Sequence, residues 1–434
     1  MVSLVEKFEV VIVGAGPAGS SAAITTSKAG MSTLLLERGD FAGSKNMFGG
    51  IMFTKPTSEI VPEFWKTAPI ERKMIEHEFW LLSEESHVQI SHRNQKFMKD
   101  FNSFTALRAR FDKWFASQAE SAGATLIPRT TVTGVLKDSG GKIVGVSTDR
   151  GDIMADVVIA CDGANSLLSK GAGLHDEWKP QDFAIGVKET YSLPKEKIEE
   201  RFNVRGDEGV AIMLYGGREE EFAGFMYTNK DTISFGMGAI MSDVAKTKSY
   251  NVPMQMLDWL KSHPSVRPLL DGAALREYTA HLIPEGGYNS IPPLFTNGMM
   301  VAGDAAMLVN ALNFEGTNFA MISGKYAGLT AIEAKKAGSN YSASTLSLYR
   351  THLEESFVLK DLKKFKDVPH YISTHKYFLT LYPQLMNDIF YKFFEVDGRP
   401  KEDHIREMKH EAFSKRGRIG ILKDAIGLYR KVLS

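Results

Sequence analysis

The sequence predicts a mixed α/β (α+β) protein with three parts: a Rossmann-type domain, an inserted antiparallel sheet and a helical C-terminal region. Three observations support this fold class. A strand, a glycine-rich turn, a helix and a second strand succeed one another within the first 38 residues. Strand-like runs then succeed one another between Phe183 and Thr279. From Leu346 onward the pattern is helical and rich in aromatic residues.

The composition is that of an ordinary globular protein, with 43% hydrophobic and 24% charged residues in a chain of 434. The 52 basic and 52 acidic side chains balance, and no nucleic-acid-binding motif occurs, so we expect no nucleic-acid partner. The one cysteine, Cys161, lies in an apolar run that predicts a buried thiol. This chain alone therefore cannot hold a disulfide or a four-cysteine iron–sulfur cluster.

The first residues do not resemble a secretory signal, because Glu6, Lys7 and Glu9 interrupt them. No uncharged apolar run reaches the roughly 18–20 residues of a membrane span. We therefore expect a cytoplasmic protein that meets a membrane only at its surface.

The first motif is a nucleotide-binding unit. An apolar strand, Phe8 to Val13, leads into a glycine-rich turn, and the strand Thr33 to Leu36 ends in Glu37-Arg38. The candidate residues of the turn are Gly14, Ala15, Gly16, Pro17, Ala18 and Gly19. The first glycine permits the tight turn, the second lets the backbone approach a pyrophosphate, and the third lets helix and strand pack closely. Glu37 is suited to accept hydrogen bonds from an adenosine ribose. FAD and NAD both remain possible ligands of this unit.

Two further candidates lie between this unit and the middle of the chain. The turn-rich stretch 43–51 contains Lys45, which could meet a phosphate, and Gly49-Gly50, which could pass close to a flat ring. A solvated surface loop is the alternative. Arg108 begins a helix with one apolar stripe and could reach the pyrophosphate, with a surface arginine as the alternative.

A predicted hairpin and a buried strand add two more candidates. The hairpin joins Thr130–Leu136 to Ile143–Ser147, and we include Val132 among the cofactor contacts. The buried strand ends at Asp162-Gly163. Ligands of doubly wound sheets bind at the carboxyl ends of the strands, so Asp162 is expected to point into the same crevice.

A third motif combines strand, turn and helix start near residue 300. The strand from Gly298 ends in the turn Gly303-Asp304, and a second helix starts at Gly316, Thr317 and Asn318. This arrangement offers an acidic side chain to a polyol and a helix N-terminus to an electron-rich ring. A flavin needs both. A Gly-Asp pair alone is weak evidence, but two nucleotide-binding signals precede it in the expected order.

These three motifs, GAGPAG with Glu37, ACDGANS, and VAGDAA followed by FEGTN, resemble the glutathione-reductase-type FAD fold in its form with a single nucleotide domain. The segment HLIPEGGYNSIP at 281–292 resembles the signature of electron-transfer-flavoprotein:quinone oxidoreductases. Three further stretches are similar to the FixC-type branch of that family: GSKN at 43–46, GVKET at 186–190 with Leu193-Pro194, and GRIGILKDAIG at 417–427.

The resemblance implies non-covalent FAD. It assigns the turn glycines to the pyrophosphate, Glu37 to the ribose, Arg108 to the phosphates and Asp304 to the ribityl chain. The helix start at 316–318 would face the pyrimidine edge of the isoalloxazine. By family analogy, Gly286, Gly287 and Tyr288 would line the approach of a quinone. No catalytic side chain and no metal are expected, and we interpret His281 as a packing or hydrogen-bonding residue.

The resemblance also implies partners. An electron-transfer flavoprotein would supply electrons and a membrane quinone would accept them, in some relatives within an NADH-driven bifurcating complex. Mitochondrial-type members carry a four-cysteine cluster, which this chain cannot form. A separate ferredoxin-like subunit is therefore expected to hold a [4Fe-4S] cluster.

We expect an FAD-binding domain at 1–55, 100–180 and 285–345, a quinone or substrate domain at 56–99 and 181–284, and a helical partner- or membrane-facing region at 346–434. From Arg399 the tail has ten basic and five acidic side chains. One helical face of this tail is apolar, formed by Leu422, Ala425, Ile426, Tyr429 and Leu433. Such a face fits an anionic membrane surface, here the cytoplasmic face of the cell membrane, or docking on protein.

Two other functions stay open. The first is an autonomous flavin reductase or monooxygenase related to geranylgeranyl reductases, although their aromatic substrate motif is absent from the stretch 224–229. The second is non-enzymatic: a docking subunit with a vestigial flavin site.

Overall fold

A computed structural model describes residues 6–46, 49–217, 221–246, 252–310, 312 and 315–432. Its strands are β1 (Lys7–Val13), β2 (Thr33–Leu36), β3 (Ile51–Phe53), β4 (Ile70–Leu82), β5 (His87–Arg93), β6 (Ser103–Ala106), β7 (Thr125–Ile127), β8 (Val132–Lys137), β9 (Ile143–Thr148), β10 (Gly151–Ala160), β11 (Phe183–Ser192), β12 (Glu208–Gly217), β13 (Glu221–Thr228), β14 (Thr232–Ile240), β15 (Ala274–Pro284), β16 (Phe295–Thr296) and β17 (Met299–Val301).

The helices are α1 (Pro17–Lys28), α2 (Thr54–Ile60), α3 (Lys96–Lys99), α4 (Arg108–Ser121), α5 (Leu167–Ala172), α6 (Lys195–Arg201), α7 (Met241–Val244), α8 (Val252–Ser262), α9 (Arg267–Leu270), α10 (Thr317–Lys336), α11 (Ala343–Leu346), α12 (Leu348–Glu355), α13 (Phe357–Lys364), α14 (Val368–Thr374), α15 (Leu381–Phe394), α16 (Lys401–Arg416) and α17 (Arg418–Val432).

The chain forms two compact units, each assembled from three stretches of sequence. Unit 1 comprises Met1–Lys73, Asp100–Ala184 and His281–Lys366, and unit 2 comprises Met74–Lys99, Ile185–Ala280 and Asp367–Ser434. Residues 346–366 therefore belong to unit 1 and the rest of the C-terminal region to unit 2. The functional division drawn from the sequence uses other boundaries and stays a prediction.

Unit 1 is built on the parallel sheet that the first motif predicts. Its strand order is β16–β17–β10–β1–β2–β7, with β9 against β10 and β8 against β9. Strands β17, β10, β1, β2 and β7 pair in parallel, so their carboxyl ends share one edge. β1 and β2 are almost completely buried, which explains why they read as continuous apolar runs. All the predicted cofactor contacts belong to this unit.

Unit 2 contains the predicted antiparallel sheet, in the order β15–β11–β14–β13–β12–β4 with β5 on β4. Its own core lies between this sheet and helices α6 and α8, and includes Val187, Phe235, Leu257 and Leu260. Helix α15 contacts β5, and its Asn387 donates hydrogen bonds to the carbonyl of Leu81 in β4 and to that of Pro383 in its own helix. Among the described residues no helix is both long and apolar enough to cross a bilayer.

The predicted fold class is confirmed. The four strand-like runs of the middle region are β11 to β14, and the predicted helix Val252 to Ser262 is α8. The predicted hairpin is β8–β9, paired antiparallel. Cys161 is buried at the end of β10, as its apolar surroundings predict.

Candidate functional site

The glycine-rich turn connects β1 to α1 in unit 1. Gly14 has φ +98°, and a Cβ there would lie 2.3 Å from the carbonyl oxygen of Cys161. A Cβ on Gly19 would lie 1.8 Å from the carbonyl oxygen of Gly14. These two glycines are therefore required by the chain's own packing. A Cβ on Gly16 would meet no atom of the described residues within 4 Å, so packing within this part of the chain does not require glycine at this position.

Gly16 is also the N-cap of α1, and no side chain caps this helix start. Pro17 occupies the first turn and Ala18 is buried; the first turn contains no acidic side chain. The backbone N–H groups of such a turn suit an anionic phosphate, because the helix N-terminus carries partial positive charge. Gly16 and the first turn of α1 thus fit the pyrophosphate of a dinucleotide.

Glu37 braces the turn at the end of β2. Its Oε2 accepts a hydrogen bond from the backbone N–H of Ala15 at 3.0 Å, and its Oε1 accepts one from Gly39 at 2.7 Å. Each carboxylate oxygen has a further lone pair, so the predicted contact to a ribose stays compatible with these bonds. Arg38 beside it is exposed.

The segment that precedes β8 runs beside Glu37. The backbone N–H of Thr130 donates to the carbonyl of Glu37 at 2.9 Å, and that of Arg129 donates to Gly39 at 2.9 Å. This pairing brings Val132, the half-buried first residue of β8, toward the same end of the sheet. Lys45 is exposed, and no hydrogen bond or ion pair of its side chain joins it to these residues in the described part of the chain.

Arg108, Gly49 and Thr317 come together although they are far apart in sequence. Nη1 of Arg108 donates to Oγ1 of Thr317 at 3.5 Å, and that hydroxyl donates to the carbonyl of Gly49 at 3.4 Å. Gly49 has φ +72°, and a Cβ there would lie 2.7 Å from the Thr317 Oγ1 and 2.9 Å from the Arg108 Nη1. The next residue, Gly50, is buried and accepts a backbone hydrogen bond from Ala106 at 2.8 Å.

The partner of Arg108 was not predicted from the sequence. Nε and Nη2 of Arg108 donate to the two carboxylate oxygens of Asp112, each at 2.8 Å, and both side chains are almost fully buried. The arginine is thereby held in one orientation with Nη1 turned toward Thr317. The (i, i+4) spacing on one helix was the available signal.

Asp304 lies at the carboxyl end of β17, after Gly303. Gly303 has φ +68°, and its N–H donates to Oγ of Ser323 in α10 at 3.0 Å. Burial raises the pKa of Asp304, while the charges of His281 and Arg108 act in the opposite direction. The same burial lowers the pKa of His281, against the pull of Asp304. His281 therefore belongs to the electrostatic surroundings of Asp304, in addition to the packing or hydrogen-bonding role that the sequence suggested.

Helix α10 begins at Thr317, with Gly316 as an N-cap that no side chain caps. Asn318 is buried; its Nδ2 donates to Oε1 of Glu315 at 3.3 Å, whereas its Oδ1 has no hydrogen-bond partner among the described residues. A buried amide oxygen without a donor is costly, so this atom suits a ligand N–H group. Farther along α10, a Cβ on Gly324 would lie 1.9 Å from the carbonyl oxygen of Ala18, which shows how closely α10 packs on α1.

Asp162 follows β10, whose carboxyl end lies beside that of β1. Its Oδ2 accepts a hydrogen bond from the N–H of Leu168 at 3.0 Å and so secures the start of α5. Its Oδ1 is buried without a hydrogen-bond partner in the described part of the chain. Burial raises the pKa of Asp162, and the backbone N–H groups offset part of this effect. Of the two oxygens of the Asp162 carboxyl, Oδ2 is therefore hydrogen-bonded within the chain and Oδ1 is bonded to none of the described residues.

The predicted quinone segment forms a tight turn in unit 1. The N–H groups of Glu285 and Gly286 both donate to the carbonyl of Asp182, at 2.8 and 3.1 Å. Gly287 has φ +62°, which favours glycine, and is buried. Tyr288 is half-buried and packs against the core of the unit. Its hydroxyl contributes, after Glu354, to raising the pKa of Arg350.

The residues of this site fit FAD. Gly16 and the first turn of α1 suit the diphosphate. At the start of α10, the buried Oδ1 of Asn318 has no hydrogen-bond donor among the described residues. Asp304 lies between these two helix starts, where the charge of Arg108 acts on its pKa. Bound there, FAD would supply a carrier for one or two electrons. We propose these roles for the predicted cofactor residues. Lys45 remains a prediction without a contact that supports it, and Arg38 is linked to the site through its charge, which lowers the pKa of His281.

Another cluster of ionisable side chains lies in the connection from α15 to α16 in unit 2. His404 is buried, with Nε2 at 3.0 Å from Asp397 and Nδ1 at 3.5 Å from Glu395. The carboxylates are also paired with Arg399 and Lys392. We interpret this cluster as an ionic network that holds the connection, because its negative charges already have cationic partners.

Comparison with known proteins agrees with the fit of these residues to FAD. Residues 9–203 match the FAD dependent oxidoreductase family, and residues 368–433 match the ETF-QO/FixC family C-terminal domain. The chain is 45% identical to Protein FixC of Azorhizobium caulinodans over 98% of this chain and 99% of that protein. It is 40% identical to the probable electron transfer flavoprotein-quinone oxidoreductase YdiS of Escherichia coli, over 97% and 98% of the two chains.

Among solved structures, a geranylgeranyl bacteriochlorophyll reductase-like protein from Thermoplasma acidophilum superposes with a TM-score of 0.71 at 20% identity, over 94% of this chain and 97% of that one. At this identity the likeness concerns the fold alone. The family matches and the full-length similarities lead to one conclusion. The chain belongs to the ETF-QO/FixC family and is an FAD-dependent oxidoreductase.

Proposed function

We propose that this chain accepts electrons on FAD from a partner electron-transfer flavoprotein and passes them to a membrane quinone. One relationship carries the proposal: His281 lies near enough to Asp304 and Arg108 for their charges to act on the pKa of its imidazole, Asp304 raising it and Arg108 lowering it. It ties the segment 281–288, which resembles the quinone oxidoreductase signature, to the residues that fit FAD. The name of the relative YdiS supports the same pair of partners.

The roles of the chain's own residues follow from their contacts. The Arg108–Asp112 pair holds a cation beside Thr317, and the uncapped start of α10 adds partial positive charge. Both stabilise negative charge on the cofactor. No side-chain nucleophile is required. Gly287 and Tyr288 line the approach of the quinone in this proposal, by analogy with the family.

Because the chain has a single cysteine, an iron–sulfur cluster would have to be held by a further partner. Cys161 is buried, and burial raises the pKa of its thiol far above the ordinary range. This chain therefore holds no four-thiolate cluster, and a ferredoxin-like subunit with [4Fe-4S] is proposed to accompany it. The sequence contains one GxGxxG unit, so in a bifurcating complex NADH would bind another subunit.

Contact with the cytoplasmic face of the cell membrane is proposed at the tail of unit 2. Helix α17 turns Gly420, Asp424 and Gly427 toward its own unit, and its apolar side chains are exposed. The exposed set is Ile419, Leu422, Ile426, Leu428 and Tyr429, and the end of α15 adds Phe390, Tyr391, Phe393, Phe394 and Val396. The predicted face also includes Leu433, which lies outside the described residues. An apolar helix face amid a basic tail suits an anionic lipid surface.

Vesicle binding tests this surface. Leu422→Glu combined with Ile426→Glu is expected to abolish binding of the complex to vesicles of anionic lipid, whereas Glu200→Gln, on an exposed pair with Lys197, is the matched control. If the complex bound neutral and anionic vesicles equally well, and the double variant still bound, the proposal would be contradicted. Binding of a partner protein at this face, lost in the same variant, would assign the surface to that partner instead.

The whole function is tested on the native complex. Its subunits are identified, and the flavin absorbance is followed while NADH and then a quinone analogue are added. Bleaching by NADH and recovery with the quinone are expected. Gly287→Trp is expected to block the recovery, and unchanged quinone reduction in that variant would contradict the placement of the quinone.

The alternatives give other results. Rapid NAD(P)H oxidation by the isolated chain, with product formed, would favour an autonomous reductase or monooxygenase. A colourless protein that cannot be reconstituted with FAD would favour a docking subunit.

A further inference from the structure

Glu285 is a carboxyl group that the proposed function does not yet use. It follows β15 and precedes Gly286-Gly287, and it is half-buried. Its backbone N–H is bonded to Asp182, but its carboxyl has no hydrogen bond or ion pair among the described residues. Burial is the one cause that raises the pKa of Glu285, and none of the described ionisable groups around Asp304 contributes to this shift.

An unpaired carboxyl in such surroundings is unusual. A buried carboxylate is stable only when donors or cations compensate its charge, and otherwise the neutral acid is favoured. Burial raises the pKa of Glu285 to about 8, so the group holds its proton at neutral pH. Partial exposure gives this proton a route to water. Strongly shifted groups of this kind concentrate at functional sites.

The backbone of Glu285 is held in place by contacts on both sides. The two N–H bonds to the Asp182 carbonyl hold the backbone on one side. On the other, a Cβ on Gly286 would lie 2.3 Å from Oγ of Ser290, so the turn closes tightly after Glu285. The chain from His281 to Glu285 spans at most about 14 Å. Along the chain, Glu285 lies between His281, whose pKa responds to Asp304, and the residues proposed to line the quinone approach.

We propose that Glu285 is the proton donor for quinone reduction, which rests on the proposed function. Reduction of a quinone to a quinol takes two electrons, supplied by reduced FAD, and two protons. The Glu285 O–H bond breaks as an O–H bond forms on one quinone oxygen. The carboxylate then regains its proton from solvent, and the other quinone oxygen takes its proton from water.

The protonation state is tested without catalysis. The infrared difference spectrum of the wild-type protein minus Glu285→Gln is expected to contain the band of a protonated carboxyl at pH 7. This band should give way to carboxylate bands as the pH rises through about 8. A carboxylate band at pH 7 would overturn the proposal.

The proton transfer is tested by reoxidising the chemically reduced protein with two acceptors. A water-soluble quinone needs protons, whereas ferricyanide needs none. Glu285→Gln is expected to slow the quinone reaction roughly 10²-fold, as for loss of a general acid, and to leave the ferricyanide reaction unchanged. Glu285→Asp should recover part of the rate. The wild-type rate should fall as pH rises through about 8, and the Glu285→Gln rate should not.

Glu59→Gln is the matched control, because Glu59 is a carboxyl of the same unit that is paired with Lys325 at 2.9 Å. It is expected to behave as the wild type with both acceptors. Equal quinone rates in the wild type and Glu285→Gln would overturn the role of Glu285 and leave the proposed function standing. Failure of the wild type itself to reduce the quinone, with ferricyanide reduced normally, would overturn both.

Discussion

Arg416 and Asp424 form a bidentate ion pair in unit 2, with Nε–Oδ2 and Nη2–Oδ1 distances of 2.7 and 2.9 Å. The hydroxyls of Tyr377 and Tyr382 donate to the same carboxylate, at 2.8 and 2.6 Å. The last helix is thus fastened by its one buried acidic residue. Its apolar side chains remain exposed as a consequence.

Asp424→Asn is expected to destabilise unit 2 by about 1–3 kcal/mol, because the half-buried Arg416 loses its charged partner. The hydrogen bonds from Arg416 hold the pKa of Asp424 at about 2. Its stabilising contribution is therefore present above the ordinary pKa near 3.8 and is lost as the pH falls toward 2. Urea unfolding followed by circular dichroism measures both effects.

Glu411→Gln is the control for Asp424→Asn, because Glu411 lies in the same unit and pairs with Lys415 near the surface. A change below about 0.5 kcal/mol is expected for it. Equal unfolding free energies for Asp424→Asn and the wild type at pH 7 would contradict the anchoring role of the carboxylate.

The glycine-rich turn predicts a contrast between two neighbouring substitutions. Gly14→Ala is expected to destabilise even the flavin-free protein, because a Cβ there would lie 2.3 Å from the Cys161 carbonyl oxygen and φ is +98°. Gly16→Val is expected to leave the flavin-free protein stable, since its Cβ position is open, and to reduce FAD binding at least tenfold, by about 1.4 kcal/mol or more. Thermal melts and flavin titration measure the two properties.

Gly134→Val serves as the control, because its Cβ position on β8 is equally open and its φ is ordinary. Normal FAD binding and a nearly normal melt are expected. FAD binding of wild-type strength in Gly16→Val would argue against a diphosphate at this turn.

The buried pair Arg108–Asp112 predicts that Asp112→Asn lowers both the stability of the protein and its affinity for FAD. Asp112→Asn leaves the Arg108 charge buried without its carboxylate, which typically costs about 3–5 kcal/mol. It should also weaken FAD binding, because the guanidinium loses its fixed orientation. The unfolding free energy and the FAD dissociation constant are the measurements. Asp403→Asn, which removes an exposed partner of Arg406, is the control, and similar losses in both variants would refute the prediction.

Glu285 also predicts how stability depends on pH. Its pKa is raised in the folded state from an ordinary value near 4.5 to about 8. The folded state therefore binds the proton more tightly, and stability is lost as the pH rises from about 4.5 to 8. Glu285→Gln cannot ionise, so it should be more stable than the wild type at pH 8 and similar to it at pH 4.5. An identical pH dependence of unfolding in both proteins would count against the shift.

Much of the fold was predictable because its signals are local. The strand–turn–helix unit around Gly14, the hairpin β8–β9 and the antiparallel strands β11 to β14 are each encoded by a short periodic pattern and its turn residues. The order of the three motifs along the chain then indicated the cofactor. The division of the C-terminal region at Lys366–Asp367 has no such local signal, because compactness depends on contacts between distant stretches.

The partners of the site residues were less predictable. Asp112 was within reach of the helical spacing rule, but the hydrogen bond of Ser323 to Gly303 and the contact of Thr317 with Gly49 join residues far apart in the chain. The surroundings of His281 and Glu285 are likewise formed by residues that are far apart in the chain. A sequence pattern shows that a residue is acidic or imidazole, but not how much of it is desolvated.

Glycine spacing and the acid at the end of β2 were enough to predict a dinucleotide-binding unit, and the resemblance carried by the three motifs implied that the cofactor is FAD. The single cysteine excluded a four-cysteine iron–sulfur cluster held by this chain alone. All of these signals can be found in order along the chain. The folded structure was needed to see that Asp112 orients Arg108 and that α17 exposes its apolar face. It was also needed to see that Glu285 is a desolvated acid without a partner among the described residues. Orientation, exposure and proton affinity are set by neighbours that the fold brings together.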